Sequence, residues 1–179
     1  MPRVFISYVS QNLKDVERLV SALKAREIEV WFDRTHLRPG DRWKDVIRRE
    51  IAEGDFFIAC FSAEYSKRDQ TFMNEEITQA IDRMRQLPHD RPWFVPVLLS
   101  ECDIPDREIG AGATLRDLHY AELDEDWEAG IRQIISVLQP GTIIEPQELI
   151  AKPESTSNLL PLPAVFQIPA RKIHAYNST

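Results

Sequence analysis

Two cysteines, six glycines and four histidines in 179 residues leave little room for several common chemistries. Cys60 and Cys102 are too few for a disulfide scaffold and lack the CxxC spacing of a zinc or redox site, so a reducing compartment is expected. The glycines form no GxGxxG or GxxxxGK[ST] fingerprint, which removes the ordinary dinucleotide turn and the P-loop phosphate cradle. No GxSxG nucleophile elbow is present either. His36, His89, His119 and His174 are scattered without metal-ligand spacing, so neither a metal nor a resident cofactor is expected. No run approaches the ~18–20 apolar residues of a membrane span, and MPRVFISY lacks the apolar core of a signal peptide. A cytoplasmic protein without a membrane span is the expectation.

The charge balance is acidic, 22 Lys and Arg against 29 Asp and Glu, for a net charge of -7. That argues against a general polyanion binder, so no nucleic-acid partner is expected. Residues 1–100 carry 16 basic and 16 acidic side chains, residues 101–138 carry 3 and 10, and residues 139–179 carry 3 and 3. The whole excess therefore lies in one late segment. A 43% apolar and 28% charged composition is that of a globular chain with a substantial core.

From Arg3 to Leu138 short β-rich runs alternate with stretches of helical period, the pattern of a parallel sheet covered by helices. Val4-Phe5-Ile6 reads as a strand, and Leu13, Val16, Leu19, Val20 and Leu23 place a helix over about 11–26. Ile28 to Phe32 is a second strand, running into a loop marked by Pro39-Gly40. Trp43, Val46, Ile47 and Ile51 define a helix ending near Gly54, and Phe56 to Phe61 reads as a central strand buried on both faces. A third helix is expected over about 71–86, and a strand over 93–99 whose Pro96 suggests an edge-like or bulged position. IPDREIGAGAT reads as loop, Leu118-His119-Tyr120 as a short fifth strand, and Trp127 to Leu138 as the last helix. The sum is an α/β domain, a flavodoxin-like doubly wound sheet of about five parallel strands, over residues 1–138. Residues 139–179 hold six of the twelve prolines, and 155–170 carry no charge, so this part reads as a Pro-rich tail or linker. Short apolar pieces such as Pro163-Ala164-Val165-Phe166 could instead dock on the domain or a partner.

Such a sheet binds ligands beyond the carboxyl ends of its strands. The side chains there are Tyr8 and Ser10, Asp33 and Trp43, Ser62 and Tyr65, and the pair Glu75–Glu76. At 100° per residue, Met73, Ile77, Ala80, Ile81 and Met84 form one apolar stripe. Glu75 lies about 175° from its centre and Glu76 about 85°, by that period. Glu75 is thus expected in water, and Glu76 at the border of core and surface beside Phe72, where a carboxylate can be desolvated and fixed in orientation. Acidic residues in a helix's first turns also stabilise the helix through its dipole, with no catalytic role.

In order along the chain, Val4-Phe5-Ile6-Ser7-Tyr8, Val30-Trp31-Phe32-Asp33, Leu37-Arg38-Pro39-Gly40-Asp41, Ser62-Ala63-Glu64-Tyr65-Ser66 and Phe72-Met73-Asn74-Glu75-Glu76-Ile77 make residues 2–138 resemble a bacterial-type Toll/interleukin-1 receptor (TIR) domain. Many TIR domains of this kind cleave the nicotinamide–ribose bond of NAD+, using a glutamate four residues after a tryptophan. The resemblance places Glu76 in the catalytic role and Phe72 in the tryptophan's place. It departs from the family at Phe72-Met73, often Trp-Cys, and at Val9-Ser10, where some active members carry arginine. NAD+ is implied as substrate, with Tyr8, Ser10, Asp33, Arg34, Trp43, Ser62 and Phe72 around it. Tyr8 and Trp43 could stack on a planar ring and Asp33 could position a ribose, with core packing or loop capping the competing explanation for all three.

Residues 34–49 hold Arg34, Arg38, Arg42, Lys44, Arg48 and Arg49, which form a solvated helix face or else meet the NAD+ diphosphate or the acidic segment of a second copy. The resemblance further implies other TIR domains as partners, with homo-oligomers forming through the BB loop at 33–41 and a role in signal transduction, innate immunity or cell defence. A noncatalytic TIR–TIR interaction or adaptor module is the competing reading. A receiver-like domain fits less well, because Ser7-Tyr8 stands where an acidic pair would follow the first strand.

Overall fold

A computed structural model describes residues 1–32, 42–88 and 91–141. Five strands form one parallel sheet: β1 (Arg3–Ser7), β2 (Glu29–Trp31), β3 (Phe56–Phe61), β4 (Phe94–Leu98) and β7 (Ala121–Glu122). Their order is β2-β1-β3-β4-β7, so the chain winds outward from β1 in one direction, returns across it and continues the other way. The reversal opens a crevice beyond the carboxyl ends of β1 and β3.

Side-chain alternation along the strands splits the core in two. Val4, Ile6, Ile58, Cys60, Val95 and Val97 face α1 (Leu13–Lys24) and α5 (Trp127–Leu138). Phe5, Phe57, Ala59 and Phe61 face α2 (Trp43–Glu53) and α4 (Phe72–Met84). β3 is buried throughout, which explains its unbroken apolar sequence. Phe5 stacks on Trp31 and Phe57 at centroid distances of 4.8 and 5.5 Å, tying the three strands nearest the crevice together.

Pro96 holds a locally edge-like position: β4 is an inner strand, but Pro96 pairs only with Ala59 of β3, while β7 covers only Val97 and Leu98 on the other side. Leu99 N donates to Phe61 O, so by alternation the Pro96 nitrogen faces the β7 side, before that short strand begins. No donor is missed there. Three local features differ from expectation. The last strand is Ala121–Glu122 and not 118–120. The stretch read as loop contains an antiparallel hairpin, β5 (Glu108–Gly110) and β6 (Ala113–Thr114), turned with Gly110 at φ +114° and Ala111 at φ +54°. A one-turn helix, α3 (Ala63–Ser66), follows β3 unannounced.

Gly130 is required by close approach. A Cβ there would lie 2.2 Å from the Glu122 carbonyl oxygen, so α5 rests its backbone directly against β7. No helix among the described residues is long and apolar enough to cross a membrane. The tail from 142 onward and the loop at 33–41 lie outside the described residues.

Candidate active site

The crevice at the sheet's reversal holds a cleft of about 870 Å³. Its walls are the segment after β1 (Tyr8, Val9, Ser10), the end of β2 (Trp31, Phe32) and residues 68–76 leading into α4. That volume lies in the ~300–1,000 Å³ range of small-molecule and cofactor sites. Thr71 begins α4 by accepting a hydrogen bond from Asn74 N at 3.2 Å, which fixes the helix start at the cleft wall.

Glu76 lies in the second turn of α4 and is buried, 9% exposed. It sits deeper than a border position, and one of its partners is on β1. Ser7 follows Phe5 on the face turned toward α4, is fully buried, and donates its hydroxyl to Glu76 Oε2 at 2.5 Å. A buried carboxylate needs such donors. Glu75, its neighbour, is exposed and pairs with Lys44 at 3.1 Å, tying the start of α4 to the start of α2.

The structure brings Tyr8, Ser10, Phe72 and Glu76 together around the cleft. Tyr8 is half-buried, packing also against the α1/α5 side of the core, and Ser10 is exposed. Phe72, 53% exposed, meets Trp43 edge-to-face at 5.3 Å, so Trp43 reaches this region through Phe72 without itself lining the cleft. Ser62 does not line it. Its fully buried hydroxyl donates to Asn12 Oδ1 at 2.7 Å and accepts from Tyr65 N at 3.2 Å as the cap of α3. Asp33 and Arg34 lie outside the described residues, as does the rest of the 33–41 loop.

A polar lattice behind the cleft holds its two sides in register. Asn12, in the segment after β1, also donates to Glu64 Oε2 at 3.4 Å. A backbone N–H bond and this Asn12 amide hold the Glu64 carboxyl below the usual carboxylate range. The Tyr65 hydroxyl donates to Asn74 Oδ1 at 2.7 Å, and Arg107 donates to the Asn74 carbonyl at 3.1 Å. Burial pushes the Tyr65 phenol up, against the opposing pull of Arg107.

Four contributors had no place among the sequence candidates. Ser7 could have been found from alternation, as a polar residue on the Phe5 face at a strand's carboxyl end. Trp31 and Phe32 stand at the end of β2 and line the cleft. Arg68 is exposed and the one cation among the described lining residues. No cluster of three or more His, Cys, Asp or Glu able to hold a metal ion occurs among the described residues.

A flavodoxin-like sheet with a carboxylate-bearing cleft at its reversal defines a doubly wound α/β domain. Residues 4–135 match the sequence model of the TIR domain, and the chain belongs to that family. Over 67 residues it is 34% identical to a protein named NAD(+) hydrolase PdTIR from Paracoccus denitrificans (strain Pd 1222), a stretch covering 37% of this chain and only 22% of that protein. The TIR domain of the Toll-related receptor TRR-2 from Hydra magnipapillata superimposes with a TM-score of 0.53 at 15% identity, covering 77% of this chain and 92% of that one. A prokaryotic SEFIR domain gives 0.52 at 19% identity, covering 78% and 99%. Both structural likenesses concern the fold.

Proposed function

We propose that the chain is a TIR-domain NAD+ glycohydrolase that breaks the bond between nicotinamide and ribose. The observation that carries this reading is the Glu76 carboxylate, buried and hydrogen-bonded to Ser7 at a cleft of about 870 Å³. Membership of the TIR family and the partial match to a protein named as an NAD(+) hydrolase support it.

The chemistry suits a sparse site. Nicotinamide is attached as a cationic pyridinium and leaves neutral, taking the electron pair of the C–N bond. No general acid is needed. What requires stabilisation is the positive charge developing on the sugar, in the manner of glycoside hydrolysis. Glu76 supplies a fixed negative charge beside it, or acts through the ribose hydroxyls. Water captures the cation to give ADP-ribose, releasing a proton; capture by the adenine gives a cyclised product. Tyr8, Trp31, Phe32 and Phe72 offer aromatic surface for the two rings, and Arg68 offers positive charge for the diphosphate. Two free cysteines fit a cytoplasmic setting.

The test is nicotinamide release from NAD+ over a protein concentration series. Glu76→Gln should lower turnover at least ~100-fold, the scale of removing one group that stabilises transition-state charge. Undiminished release removes Glu76 from the mechanism. Activity rising faster than linearly with protein supports a site completed by a second copy through the 33–41 loop.

The competing reading, a noncatalytic interaction module, is favoured by one observation: Phe72, 53% exposed, presents an aromatic ring to water at the cleft rim. It predicts no NAD+ turnover at any protein concentration.

A further inference from the structure

We infer that Ser7 is a positioning residue for the reaction, holding the Glu76 carboxylate in the orientation the developing sugar cation requires. The inference rests on the proposed glycohydrolase reading and goes beyond it, to the group that aims the carboxylate.

Ser7 ends β1, its backbone in register with Ala59 of β3. Its side chain is fully buried, so it gains nothing from solvent and contributes little apolar surface. Every other strand residue on that face near it, Phe5, Phe57, Ala59 and Phe61, is apolar. A hydroxyl placed there would be a cost to the core without a matching acceptor. The acceptor is Glu76 Oε2, 2.5 Å away and 69 residues along the chain. A hydroxyl-to-carboxylate bond of this length is charge-assisted and directional. It joins a central strand, with neighbours on both sides, to a side chain that has several rotatable bonds of its own.

Ser7 does not line the cleft, so it acts through Glu76 and touches no substrate. Its loss should therefore appear in the chemical step and not in binding. In Ser7→Ala, kcat for NAD+ falls about 10- to 100-fold, the scale on which small misplacements of reacting groups act. KM stays within about threefold, because uniform binding is untouched. Ser7→Thr keeps the hydroxyl and recovers most of kcat.

Wild type, both variants and Glu76→Gln are compared as full chains, by steady-state kinetics and thermal unfolding. The inference is overturned if Ser7→Ala keeps kcat within about twofold, if the loss falls on KM alone, or if Ser7→Thr is as slow as Ser7→Ala. Should alanine unfold the protein, Ser7→Cys, close in volume but a weak donor, takes its place with the same expected ratio to Ser7→Thr. An inactive wild type overturns the glycohydrolase reading and this inference together. An active wild type with a dead Glu76→Gln and an undiminished Ser7→Ala overturns this inference alone.

Discussion

Gly130→Ala tests how tightly α5 is set against the sheet, and its sign runs against helix propensity. In the middle of a helix, alanine is favoured over glycine by about 1 kcal/mol. Here the added Cβ would lie 2.2 Å from Glu122 O, 2.6 Å from Leu123 Cδ2 and 3.0 Å from the Glu122 carbonyl carbon. The oxygen cannot step aside cheaply, because β7 is held to β4, with Leu123 N donating to Leu98 O at 2.8 Å. The helix must therefore retreat by about 1 Å to restore ordinary contact. Its buried face carries Ile131, Ile134, Ile135 and Leu138. Burial of each such side chain contributes about 2 kcal/mol, and a gap of 0.5–1 Å forfeits roughly a quarter to a half of the dispersion contact. Four residues then lose about 2–4 kcal/mol, leaving a net destabilisation of about 1–3 kcal/mol after the propensity gain. For a domain of this size that lowers Tm by about 3–10 °C. Calorimetry or circular dichroism reads the shift, and urea unfolding checks the free energy. Because α5 and α4 lie on opposite faces of the sheet, kcat of the folded variant should equal that of wild type. An unchanged or higher Tm would refute the close-approach argument.

Arg68→Ala should raise KM for NAD+ about tenfold, through loss of charge-assisted bonds to phosphate, while cleavage of phosphate-free nicotinamide riboside stays unchanged; equal effects on both substrates would take Arg68 out of diphosphate binding. Burial, with Asp103 and Asp124 adding to it, pushes the Cys102 thiol up to about 11. Since the thiolate is the reactive form, alkylation of Cys102 should be slow near neutrality and rise about tenfold per pH unit until that value is approached. Cys60, fully buried, has its thiol pushed higher still and should react only on unfolding, so mass spectrometry of the native protein should find one modified site. Fast labelling of two thiols at neutral pH would contradict both placements.

The fold was legible where pattern is long. β3 is readable at its observed bounds because six consecutive apolar residues leave no ambiguity, and α2 because its apolar positions repeat over three turns. What escaped was short or set by distant partners. α3 spans one turn, too few residues for any period, and exists because Ser62 caps it. That same capping, with the bond to Asn12, accounts for a serine that had looked like a site residue. β7 lies where it pairs with Val97 and Leu98, a register with no mark in the sequence of residues 118–122. The helical period separated Glu75 from Glu76 correctly, yet it could not show the depth of Glu76 or its Ser7 partner, which comes from another element.

The division of labour among the polar groups follows from the cost of burying them. A carboxylate taken out of water is stable only where donors meet it, so its place in a sheet-and-helix domain is restricted to points where a strand offers one. β1 offers Ser7 beside the crevice that the winding of the sheet creates. Among the described residues, the remaining buried polar side chains, Asn12 and Ser62, are satisfied by each other and by α3, away from Glu76. They fix the spacing of the cleft walls without competing for the carboxylate. Under the proposed glycohydrolase reading, a reaction whose leaving group departs neutral would need little more than that from the protein. One anion held in place, with aromatic walls and a nearby cation to seat the substrate, would supply the differential stabilisation that such catalysis requires.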